Sequence, residues 1–97
     1  MSIVVRHQPK GLTREQYDEV SRRMEGAGNW PPEGMEMHVL FGEEGDMRVS
    51  EIWDSEEQFR AFAEHLLPIL DEVGIPHGEP EVHEVHELQR RPETATA

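Results

Sequence analysis

Two stretches of helical spacing, each set between short β-branched runs, limit a chain of 97 residues to very few architectures. Residues 3–7 form a β-branched run closed by Pro9 and Gly11 and read as a first strand. Thr13 then opens a helix: Gln16, three residues on, completes a capping box, and Glu15 lies in the first turn, where the helix dipole favours an acid. Tyr17, Val20 and Met24 make one narrow apolar stripe, assigned to the core, which Gly26 and Gly28 end. Pro31 and Pro32 mark 29–34 as a loop. Two strands, 35–41 and 47–53, follow around the glycine-containing acidic stretch 42–46. Placing Phe41 opposite Met47 sets Val39 against Val49 and Met35 against Trp53. A slip of one residue would set Phe41 against Arg48, so the first register is expected.

Ser55 caps a second helix, with Gln58 in the matching position for another capping box. Phe59, Phe62, Ala63, Leu66, Leu67, Leu70 and Val73 give it a wide apolar stripe. Pro68 lies inside that pattern and should kink the helix or divide it in two, because it lacks a donor and crowds the preceding turn. Gly74, Pro76, Gly78 and Pro80 make the next connection, and 81–88 is a last, polar strand in which His83 fits either phase. Residues 1–89 are expected to be one domain, and 90–97, which lack periodicity, a disordered tail.

The order is therefore β-α-β-β-α-β, an α+β fold with a four-stranded antiparallel sheet. Right-handed crossovers put both helices on one face of it. Two helices cannot cover both faces, so the second face is solvated, ligand-bound or docked. By alternation the helix-facing set holds Ile3, Val5, Met35, Met37, Val39, Phe41, Met47, Val49 and Trp53, with Glu51 the one charged exception. The opposite set, with Val4, Arg6, Glu36, His38, Leu40, Arg48, Ser50, Ile52, His83 and Val85, mixes apolar and ionisable groups. Such a mixture suits a ligand cavity or a wet dimer interface.

Composition sharpens this. Hydrophobic residues are only 35%, and 21 acidic side chains against 9 basic ones give a net charge of -12. So little apolar surface in so small a domain points to burial supplied by a second copy. The acidity and the lack of a basic stripe argue against nucleic acid. Without cysteine there are no disulfides or thiolate chemistry, and no stretch is apolar enough to span a bilayer. A cytoplasmic homodimer is expected.

Residues 51–62 carry a resemblance. A strand ending in Trp53, an acidic turn capped by Ser55, then Phe59 and Phe62 with two residues between them, is similar to the small dimeric α+β barrel proteins of the antibiotic-biosynthesis-monooxygenase type. The resemblance covers about residues 1–88 and implies a ferredoxin-like homodimer whose two sheets form a barrel. Activities across that superfamily run from cofactor-independent oxygenation of aromatic polyketides to haem degradation, isomerisation and plain ligand binding. Haem-degrading members use an Asn on the first strand and a Trp in the second helix. Here the first strand carries Arg6 and His7, and the helical position is Phe62, so haem degradation is disfavoured.

Among candidate site residues, His38 and Ser50 are expected to be cross-strand neighbours on the mixed face, His38 as general base or substrate-orienting group. Leu40, Ile52 and His83 would line the same pocket, with Trp30 covering its mouth or packing beneath the helix ends. Arg6, on a central strand, needs an anionic partner, either Glu36 or an acidic ligand. His83 and His86 do not make a metal pair, since a spacing of three on a strand turns them to opposite faces. Glu43, Glu44 and Asp46 read as a solvated hairpin tip. No cofactor is expected. The implied function is a cofactor-independent, monooxygenase-like reaction on a small aromatic or polyketide-like molecule; the rival is a non-catalytic module that binds a small hydrophobic or aromatic ligand or serves dimeric assembly.

Overall fold

The computed structural model describes residues 1–91; the expected tail therefore lies mostly outside the described residues. Six elements follow in order: β1 (Ile3–His7), α1 (Arg14–Gly26), β2 (Met35–Glu43), β3 (Asp46–Trp53), α2 (Glu56–Val73) and β4 (Glu81–Glu84). The strands form one antiparallel sheet in the order β2-β3-β1-β4. This is the α+β, ferredoxin-like topology: each helix carries the chain across one intervening strand, and both helices return over the same face.

Local chemistry starts both helices. The Thr13 hydroxyl accepts from the Gln16 N–H, and the Gln16 side chain accepts from the Thr13 N–H, a complete capping box. At α2 the Ser55 hydroxyl accepts from the Gln58 N–H and donates to the Gln58 side chain, so only half of the reciprocal pair forms. α2 runs undivided through Pro68 and stops at Gly74, whose φ of 86° places it in the left-handed region that glycine adopts most readily. The tertiary packing along α2 outweighs the one missing donor.

Ile3, Val5, Met24, Trp53, Phe59 and Phe62 make the core, between the sheet and the helices. Trp53 is fully buried, with its rings 5.7 Å from Phe59 and 5.3 Å from Phe62. Burial of such side chains contributes on the order of 2–3 kcal/mol each.

The β2–β3 register differs from expectation. Met35 does face Trp53, but Met37 faces Ile52, so Glu36 is an extra residue at a bulge. Beyond it the pairing is His38 with Glu51, Val39 with Ser50, Leu40 with Val49 and Phe41 with Arg48, the one-residue slip that alternation had disfavoured. A tight turn at Glu44 and Gly45, between the paired Glu43 and Asp46, sets this register in place of a five-residue loop. Two consequences follow. His38 and Leu40 move to the helix side, while Met37, Val39 and Phe41 turn to the open face, where they are 46%, 43% and 37% exposed.

Candidate functional site

The new register puts a buried carboxylate at the centre of the helix-facing side. Glu51 is 3% exposed, on the central strand β3. Every donor that reaches it follows from sheet geometry. His38 lies directly across on β2, and its Nδ1 is 2.8 Å from Oε2. His7 lies diagonally on β1, its Nε2 3.2 Å from Oε1. Trp53 lies two residues along the same strand, and its indole N–H donates to Oε1 at 3.0 Å. Burial is the largest influence on Glu51 and would raise its pKa. The hydrogen bonds from His38 and His7, with the latter's charge and the Trp53 N–H, outweigh it and hold the carboxyl down to about 2. At neutral pH Glu51 is thus an acceptor only, and it fixes which His38 nitrogen carries the proton. With Nδ1–H donating to Glu51, the neutral ring presents Nε2 as an acceptor.

That acceptor is met by Tyr17. Its hydroxyl lies 2.7 Å from His38 Nε2, reaching down from the first turn of α1. Burial, supplemented by the Glu51 charge, raises the Tyr17 pKa, so the phenol is a donor at neutral pH. Tyr17, His38 and Glu51 therefore form a directed chain of hydrogen bonds. The Trp30 and His38 rings meet in a T-shaped contact, at a centroid distance of 5.1 Å and an interplanar angle of 87°.

The chain of donors lines a cavity of about 120 Å³ between the sheet and the helices. Val20 and Met24 of α1, Phe62 and Leu66 of α2, and Leu12 give it an apolar wall. His77 in the α2–β4 connection lies at its edge, hydrogen-bonded to Asp71 at 3.0 Å. Among the described residues no lysine or arginine lines it. Space of this size admits several waters or part of a small organic molecule.

The expected site residues divide. His38 and Trp30 meet at the cavity, with Trp30 both lining it and packing on the core beside Phe62. Leu40 is on the same side as His38, opposite Val49. Ser50 is not His38's neighbour: it pairs with Val39 and Arg6, on the open face. Ile52, opposite Val4 and Met37, and His83, opposite Val4, also belong to that face. The pocket expected on the mixed face thus lies on the other side of the sheet. Arg6 is half-exposed and pairs with Glu81 at 3.9 Å, while Glu36 is taken by Arg90 at 2.7 Å. Sequence spacing assigned Tyr17 to the core and gave Glu51 and His7 no role. The available signal was Glu51 itself, the one acid within an apolar strand face.

No protein-family model matches the chain, and no curated protein does so. Solved structures do share its fold. SnoaB, a cofactor-independent oxygenase from Streptomyces nogalater, superposes with a TM-score of 0.61 at 17% identity over 93% of this chain and 96% of its own. A protein assigned as an antibiotic-biosynthesis monooxygenase of Chloroflexus aurantiacus gives 0.58 at 15% identity, over 92% and 98%. One with the same assignment from Deinococcus radiodurans gives 0.59 at 11%, over 95% and 99%. The resemblance read from Trp53, Ser55, Phe59 and Phe62 holds at the level of fold.

Proposed function

We propose that the cavity between the helices and the sheet binds a small neutral aromatic molecule and that His38, aligned by Glu51, is the base that deprotonates it for direct reaction with dioxygen. The observation that carries this reading is the buried carboxylate pinning His38 in one tautomer at an apolar cavity. An imidazole backed by a carboxylate suits proton abstraction near neutral pH. The fold likeness to a cofactor-independent oxygenase supports this reaction class by analogy alone.

For an anthrone-type ketone the chemistry closes. The base removes a proton from the activated methylene, and the resulting carbanion reduces and combines with dioxygen to a peroxide anion. The protonated base returns its proton to give the hydroperoxide, and loss of water, which takes the second methylene hydrogen, leaves a carbonyl. The methylene carbon is oxidised, dioxygen is reduced, and one oxygen atom leaves as water. The surroundings favour a neutral substrate, because no lysine or arginine lines the cavity among the described residues and the Glu51 carboxylate would repel an anion.

The open sheet face completes the reading. Met37, Val39 and Phe41 are exposed there beside Val4 and Ile52, an apolar patch that a second copy of the chain would cover. The domain of residues 1–89 is thus proposed as one half of a homodimer.

The test is enzyme-dependent oxygen uptake with anthrone, with anthraquinone measured as product. His38→Ala should abolish uptake while sparing anthrone binding. Saturable binding without turnover by the wild-type protein would favour a ligand-binding protein instead.

A further inference from the structure

Neither nitrogen of His38 faces open cavity. Nδ1 is engaged by Glu51 at 2.8 Å and Nε2 by the Tyr17 hydroxyl at 2.7 Å, while Trp30 makes a T-shaped contact with the ring. Tyr17 and His38 both line the cavity, and the Tyr17 hydroxyl occupies the hydrogen-bonding position at the imidazole's basic nitrogen. We propose that Tyr17 is the catalytic residue in contact with the substrate, passing the substrate's proton to His38; this rests on the reading of His38 as base.

The phenol oxygen donates to His38 and, beside the hydrogen bond that the Ser21 hydroxyl offers it, keeps a second lone pair for another group. That lone pair is the acceptor for an acidic C–H or O–H of the ligand. In the step, the substrate's bond to hydrogen breaks and a new O–H forms on Tyr17. At the same time the original Tyr17 O–H breaks and an N–H forms at His38 Nε2. The imidazolium that results is paired with the Glu51 carboxylate, already in contact with Nδ1, so charge separation spans only the dyad and the substrate anion. No electron changes hands. Burial opposes a free phenolate at Tyr17, which makes the concerted transfer the favoured route.

The geometry also defines the substrate class. The group to be deprotonated must be comparable in acidity to a phenol and must sit at hydrogen-bonding distance from one, which describes an enolisable aryl ketone or a phenol. Tyr17 is placed for this by the capping box that fixes the start of α1 one turn before it.

Proton transfer can be read without oxygenation. Anthrone under argon in D₂O loses its methylene signal in the proton NMR spectrum as deuterium exchanges in, and the enzyme-dependent rate measures abstraction alone. Tyr17→Phe should lower this rate by about 100-fold or more, within the range for loss of a general acid–base group, with anthrone binding by fluorescence little changed. The double variant Tyr17→Phe/His38→Ala should exchange no more slowly than either single one, because the two residues act as one unit. If Tyr17→Phe exchanges at or above the wild-type rate, His38 acts directly and the relay is wrong, while the base reading survives. If the wild-type protein leaves exchange at the buffer rate, both fall.

Discussion

His38 and Glu51 stand directly opposite each other across β2 and β3, with Nδ1 2.8 Å from Oε2. The carboxylate selects the tautomer in which Nε2 is the basic nitrogen, as a buried acid does for the histidine of a hydrolase triad. Glu51→Gln keeps the shape and removes the charge. Oxygen uptake with anthrone should fall by about 10²–10⁴-fold, mostly in kcat. A fall of less than about fivefold would show that His38 needs no carboxylate.

Glu51 also ties stability to pH. Its folded-state pKa, about 2, lies below the ordinary carboxylate value. A depressed acid stabilises the fold fully above its unfolded pKa, and that stabilisation is lost as pH falls from the ordinary carboxylate range toward 2. The displacement corresponds to roughly 3 kcal/mol at most. Urea unfolding between neutral pH and pH 2 should show the wild type losing more stability than Glu51→Gln. Parallel curves for the two would remove Glu51 from the account of acid sensitivity.

The hairpin sets the site as much as the dyad does. Gly42 has φ of 108°, and a Cβ there would lie 2.7 Å from the Asp46 carbonyl oxygen. Gly42→Ala should destabilise the protein by about 1–3 kcal/mol, from backbone strain and the backbone clash. Chemical denaturation measures it, and an unchanged midpoint would mean that the turn can relax without cost.

Phe41 projects from the open sheet face and is 37% exposed. Phe41→Glu places an acid in the patch shared with Met37 and Val39. Sedimentation velocity should show a dimer for the wild type and a monomer of unchanged circular dichroism for the variant. A wild-type monomer at micromolar concentration would remove the paired sheet from the reading.

The element order was legible because each signal was local: Thr13 and Ser55 as caps, the stripe from Phe59 to Leu70, and the connection from Gly74 to Pro80. The site was not, because it depends on a single extra residue. Glu36 at the bulge inverts the alternation of everything after it, so His38 and Leu40 exchange sides with Met37 and Val39. Alternation alone chose the more apolar face for the helices, as it would in an isolated monomer. The structure leaves those apolar side chains outward and spends the inward positions on His38 and its partner. Glu51 was visible as an anomaly in the sequence, and its three donors could be found only once the register was known.

The central claim is that the working cavity lies under the helices and not on the open sheet. Titration of isotope-labelled protein with 2-naphthol, a small neutral phenol, followed by amide and indole NMR shifts, tests it directly. Saturable shifts should appear at Leu12, Tyr17, Val20, Val49 and the Trp30 indole. Shifts confined to Val4, Met37, Val39 and Phe41, with the Trp30 indole unmoved, would contradict it.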